Sequence, residues 1–94
     1  MSPTENPVKV RVTIQNRLGL HARPAMSFVD AASGFKADVR VHKGSQTVDG
    51  KSIMQMMMLA ATQGTELDIE ADGPDAQDAL DTLKALVDSK FEED

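Results

Sequence analysis

The sequence predicts an α+β fold with the order β-α-β-β-α-β-α, a four-stranded antiparallel sheet covered on one face by three helices. Four short stretches alternate apolar and polar residues, the pattern of strands with one buried and one wet face. Three other stretches repeat apolar residues at helical spacing. A chain of 94 residues, 40% of them hydrophobic, suits one small core and is too short for two.

Each element has its own signal. Val8, Val10, Val12 and Ile14 alternate with polar residues and predict the first strand, after a Pro-containing segment, Met1 to Pro7, read as a disordered tail. Asn16 to Gly19 predicts a turn. Ala22, Ala25, Met26, Val29 and Ala32 then recur at helical spacing, with Gly34 as the expected C-terminal cap. Ala37, Val39 and Val41 predict strand two, "KGSQ" a hairpin turn, and Thr47 to Asp49 a short strand three. "SIMQMMMLAA" reads as a helix opened by Ser52, with Gln55 three residues on completing a capping box and Gly64 ending the helix. Leu67, Ile69 and Ala71 predict strand four. "DGP" turns the chain, and Asp75 is the expected cap of a last helix with the stripe Ala76, Ala79, Leu80, Leu83, Leu86 and Val87.

Composition narrows the chemistry. Cysteine is absent, which excludes disulfides, thiol nucleophiles and cysteine-based zinc sites, and two histidines leave little for a metal centre, so neither metal nor cofactor is expected. No apolar run approaches the ~18 residues of a membrane span, and "MSPTENP" lacks the basic and apolar regions of a signal peptide. A cytoplasmic protein without membrane insertion is expected. A net charge of −5 argues against nucleic-acid binding, yet the halves differ: residues 1–51 carry eight Lys/Arg and four Asp/Glu, and residues 52–94 carry two and eleven. Either these are solvated faces, or the first half forms a basic docking surface for an acidic partner.

The stretch "NRLGLHARPAMSF" places His21 beside the start of the first helix and Pro24 within its first turn, where a missing N–H breaks no intrahelical bond. The unpaired N–H groups and positive dipole end there favour an anion, and the Arg23 guanidinium suits phosphate oxygens. A neutral imidazole is a nucleophile near neutral pH, and phosphoryl transfer needs mainly positioning and charge stabilisation. A lone histidine at a helix start also serves as a cap or surface residue, so these residues alone leave both roles open. His42 lies on the polar side of strand two without an acidic neighbour in sequence, and a solvated surface role is expected for it.

"LGLHARPA" at Leu18 to Ala25, with "GKSIMQMMML" at Gly50 to Leu59, resembles the histidine-containing phosphocarrier protein family (HPr) of the bacterial phosphotransferase system. The resemblance spans about residues 8–91 and implies the HPr open-faced β-sandwich in a domain over 8–94. It implies that His21 accepts phosphate at Nδ1 from enzyme I and passes it to EIIA proteins, and that Arg23 assists at the phosphate. Pro24 belongs to the same motif, and Ala22 fills a position that varies in the family. Ser52 stands where many members carry a serine phosphorylated by HPr kinase/phosphorylase; as a plain helix cap it needs no such role. Ile53, Met54 and Met57 match an apolar docking patch, and Arg17, Arg23 and Lys51 are expected to form a basic contact surface beside it. Met54 and Met56 to Met58 cannot all face inward, since helical residues sweep around the axis; two are expected in the core. "LGLHARPAM" and the ending "FEED" resemble the nitrogen-related branch, NPr, whereas "GKSIM" resembles the kinase-regulated sugar branch.

The resemblance therefore implies a monomeric phosphocarrier rather than an independent enzyme. A regulatory interaction module without group transfer is the alternative of another class. A phosphohydrolase is the weakest reading, because no general acid, second histidine or metal cluster accompanies His21.

Overall fold

In the computed structural model, which describes residues 7–92, strands β1 (Val8–Thr13), β2 (Asp38–Lys43), β3 (Gln46–Asp49) and β4 (Glu66–Asp72) form one sheet in the order β1-β4-β2-β3. All three pairings are antiparallel. Helices α1 (Ala22–Ser33), α2 (Ile53–Met58) and α3 (Ala76–Asp88) complete the expected α+β order, followed by a short 3-10 turn at Lys90–Glu92. Residues 1–6 of the expected tail, and the last two residues of "FEED", lie outside the described residues. No helix among the described residues is long and apolar enough to cross a membrane.

Alternation places the strands' apolar side chains on the helical side. Val12, Val39, Val41, Val48, Leu67, Ile69 and Ala71 are buried there with Phe28 from α1 and Leu80, Leu83 and Val87 from α3. Burying a side chain such as Phe28 contributes about 1.5–3 kcal/mol, which makes the helical face the main source of stability. The other face is polar: Arg11 stands opposite Asp68, and Arg40 opposite Glu70.

Three expectations are corrected. The inward stripe of α1 is Pro24, Ala25, Phe28 and Ala32, whereas Ala22 and Met26 are exposed, because the bulky Phe28 selects which flank of the helix turns to the sheet. Helix α2 is six residues long and stops well before Gly64. Ala60 adopts a left-handed φ of 50°, and the last carbonyls of α2 are taken by side chains from the β2–β3 hairpin, Lys43 Nζ to Leu59 O at 2.8 Å and Gln46 Nε2 to Met58 O at 3.3 Å. Such partners end a helix without a glycine. Asp75 does stand at the N-cap of α3, but its carboxylate makes no cap bond to that helix. It accepts instead from the backbone N–H groups of Lys36 and Ala37, at 2.9 and 2.8 Å, pinning the α1–β2 connection to the start of α3.

Candidate phosphoryl-acceptor site

The loop before α1 is built to deliver His21. Gly19 N donates to Asn16 O at 3.1 Å, Asn16 Nδ2 donates to Gly19 O at 2.6 Å, and Asn16 is fully buried. Gly19 has φ +71°, and a Cβ on it would sit 2.5 Å from Ala61 O, so the chain can pass here only as glycine. Leu20 N then donates to Ala61 O at 2.8 Å, joining this loop to the segment that follows α2.

His21 occupies the N-cap of α1 with an extended backbone, and the intrahelical ladder begins with Ala25 N donating to His21 O at 3.0 Å. The N–H groups of Ala22 and Arg23 precede that ladder, and Pro24 has none to lose. The His21 side chain makes no cap bond to its own helix and is half-buried, while Ala22 and Arg23 are exposed beside it. The arrangement sets an imidazole at the positive end of a helix dipole, two residues before an exposed arginine.

Helix α2 packs against α1. Only half of the expected capping box forms: Gln55 N donates to Ser52 Oγ at 3.2 Å, but the Gln55 amide oxygen accepts from Asp49 N at 2.9 Å, because Ser52 N already donates to Asp49 O at 3.1 Å. Ile53, Met54, Met57 and Met58 share one exposed face, at 38%, 76%, 41% and 67% exposure, while Met56 is fully buried on the opposite side. Only one of the four methionines is therefore in the core, not two, since a single turn and a half of helix turns only one of them toward the sheet.

The expected basic surface is only partly assembled. Lys51 Nζ donates to Phe35 O at 2.8 Å, just past the C-terminal end of α1, where a cation complements the helix dipole. His21 is at the other end of that twelve-residue helix, about 18 Å away along its axis, so the structure does not bring Lys51 to the histidine. Ser52 stays with Lys51 by chain connectivity and starts α2, whose far end leads to Ala61 and the His21 loop. Arg17 and Arg23 flank His21 in sequence and are both exposed.

Part of the charge difference between the chain's halves is used within the sheet's open face. Arg11 Nε donates to Asp68 Oδ1 at 2.9 Å, and that hydrogen bond with its charge holds the Asp68 carboxyl below, and the Arg11 guanidinium above, their ordinary values. Arg40 lies 3.7 Å from Glu70. His42, expected to be a solvated residue without an acidic neighbour, has Glu70 Oε1 at 2.7 Å from Nε2 and Thr47 Oγ1 at 2.9 Å from Nδ1. The acidic partner comes from β4, 28 residues away, which is why local sequence did not show it. Among the described residues no group of three or more His, Cys, Asp or Glu side chains is placed to hold a metal ion.

Beyond the expected apolar patch, Leu18, Met26 and Met58 are also exposed, at 69%, 54% and 67%. Met26 carried a usable signal, because it lies two residues before the bulky Phe28, about 200° around the helix from it. For Leu18, a leucine inside a turn was the only hint.

Residues 8–89 match the family model described as the phosphotransferase HPr component phosphorylation site. The HPr of Neisseria meningitidis serogroup A is 45% identical over 86 residues, covering 92% of this chain and 97% of that protein. The NPr of Proteus mirabilis is 45% identical over 86 residues, covering 89% and 94%. The crystal structure of HPr-C-His from Thermoanaerobacter tengcongensis superimposes with a TM-score of 0.89 at 41% identity, covering 93% of this chain and 98% of that one. Fold and similarity together define a phosphocarrier domain. The chain belongs to the HPr family of the phosphotransferase system.

Proposed function

We propose that this protein relays a phosphoryl group through Nδ1 of His21, from enzyme I to an EIIA protein, and is itself a carrier rather than an independent enzyme. The supporting observation is the placement of His21: at the N-cap of α1, beside the N–H groups that precede the helical ladder, with its ring not used to cap the helix. The Nδ1 lone pair attacks phosphorus as the bond between phosphorus and the donor group breaks. The reverse exchange on the next acceptor frees the imidazole. Arg23 and the helix start stabilise charge on the equatorial oxygens during both steps.

In this reading Leu18, Met26, Ile53, Met54, Met57 and Met58 make the apolar part of the docking face, and Ala22, Arg17 and Arg23 surround the histidine. The carrier acts as a monomer in the cytoplasm, because a permanent partner on its exposed apolar face would cover His21. Lys51 serves the end of α1 and, with Ser52, lies at the outer edge of the contact. Phosphorylation of Ser52 by a kinase of the HPr type would place a dianion there and weaken docking. The nitrogen-related branch is the second reading, since identity to an NPr, 45%, equals that to an HPr.

The test is incubation with phosphoenolpyruvate and enzyme I, followed by intact mass and peptide mapping, then presentation of sugar-type and nitrogen-type EIIA proteins. One acid-labile phosphate on His21 is expected, lost in His21→Ala and formed about ten- to a hundredfold more slowly in Arg23→Ala. Labelling that persists in His21→Ala, or that maps to His42, overturns the assignment. The EIIA protein that discharges the carrier faster identifies the branch.

A further inference from the structure

The six methionines divide sharply by exposure. Met56 is fully buried, whereas Met26, Met54, Met57 and Met58 are 54%, 76%, 41% and 67% exposed, and the sixth, Met1, lies outside the described residues. The exposed four are not scattered. Met54, Met57 and Met58 share the outer face of α2, and Met26 lies one turn beyond Ala22 on α1, the helix that His21 begins. The bond from Leu20 N to Ala61 O, 2.8 Å, draws the segment after α2 against the His21 loop, and α2 packs on α1, so the two helices that carry these methionines adjoin the loop that carries the histidine. The chain has no cysteine, so thioethers are its only oxidisable sulfur.

We propose that Met26, Met54, Met57 and Met58 form an oxidation site for hydroperoxides, at which sulfoxide formation closes the docking face and its reduction reopens it. The inference rests on the reading of this face as the surface that meets enzyme I. A thioether lone pair attacks the outer oxygen of the peroxide. The S–O bond forms as the O–O bond breaks, sulfur loses two electrons, and the peroxide is reduced to water or an alcohol that takes up the proton. A dithiol-driven sulfoxide reductase reverses the change, releasing water and leaving a disulfide on the reductant.

The geometry explains why such a change acts on docking and spares the fold. A thioether is apolar, flexible and adaptable, which suits a surface that must fit several partners. A sulfoxide is polar and chiral, and docking would strip water from its oxygen without supplying a donor. Met56, the α2 sulfur that fills the core, is closed to the reagent.

The experiment treats the full chain with hydrogen peroxide, maps the oxidised residues by peptide mass, and measures phosphorylation of His21 by enzyme I together with thermal stability. Expected are early oxidation of Met54, Met58 and Met26, later oxidation of Met57, and Met56 last. With the four oxidised, transfer is at least tenfold slower, the melting temperature is nearly unchanged, and treatment with sulfoxide reductase restores the rate. A variant carrying Met26→Leu, Met54→Leu, Met57→Leu and Met58→Leu has a transfer rate of its own that peroxide leaves unaltered, which excludes Met1 and Met56 as the cause. Oxidised protein that transfers as fast as untreated protein overturns the proposal, as does oxidation of Met56 in step with the others. Untreated protein that takes no phosphate on His21 overturns the phosphocarrier reading instead, and this proposal with it.

Discussion

Leu20 donates its backbone N–H to the carbonyl oxygen of Ala61 at 2.8 Å, and this bond ties the residue before His21 to the segment that leaves α2. The loop that carries His21 and the segment that follows α2 are thereby held together, although 32 residues separate His21 from Ile53 in the chain. Gly19 permits the contact from one side and the left-handed Ala60 from the other.

Gly19→Ala should be costly. The new Cβ would lie 2.5 Å from Ala61 O on a backbone at φ +71°. A loss of about 1 to 3 kcal/mol is expected in denaturant unfolding, with slower phosphorylation because His21 shifts with its loop.

Ala60→Gly should do the opposite. Ala60 holds φ 50°, a conformation that costs an L-residue about 1–2 kcal/mol, against which glycine's greater freedom in the unfolded chain offsets about 0.4–1 kcal/mol. A rise in thermal stability of up to about 1 kcal/mol, with transfer kinetics retained, is the expected result.

Met54 and Met56 are two residues apart and should respond to the same substitution in different assays. Met54→Glu, at an exposed site, should leave stability within about 0.5 kcal/mol while weakening enzyme I binding. Met56→Glu buries a carboxylate in the core and should cost at least about 3 kcal/mol or prevent folding. Calorimetry and an enzyme I titration distinguish the two.

Ser52→Ala removes the oxygen that Gln55 N donates to, and should cost about 0.5–2 kcal/mol in thermal unfolding. Ser52→Asp keeps an acceptor and adds a negative charge at a helix start, so its stability should equal or exceed that of the parent protein. If Asp also slows phosphorylation of His21 while Ala does not, the charge acts on docking; equal rates in all three reduce Ser52 to a cap.

Asp75 supplies a pH test. The N–H groups of Lys36 and Ala37 hold its carboxyl below the ordinary value of 3.8. A folded pKa below the unfolded one means that the contribution is complete above about pH 4 and disappears as pH falls through the depressed value. Asp75→Asn should therefore melt lower than the parent near neutral pH, and the gap should narrow on acidification below pH 4. A gap that does not change with pH would show that packing, not the carboxylate, carries the effect.

Strand alternation, the existence and order of the helices, and the Ser52 Oγ cap on Gln55 N were legible because each is set within a few residues by backbone period and local hydrogen bonding. The placement of His21 at a helix start was legible for the same reason: Pro24 tolerates only the first turn, and the turn before it needs Gly19. The motifs "LGLHARPA" and "GKSIMQMMML" carried the family.

What tertiary structure alone decided involves partners far apart in sequence. Lys43 and Gln46 reach from the hairpin to end α2, so the helix stops at Met58 rather than running to Gly64. Phe28 takes the inward flank of α1 and turns Met26 outward; Lys51 is spent on the end of α1; and β4 brings Glu70 to His42. In each case competing local arrangements are close in energy, and the choice falls to which one lets distant polar groups pair while the largest apolar side chains leave water.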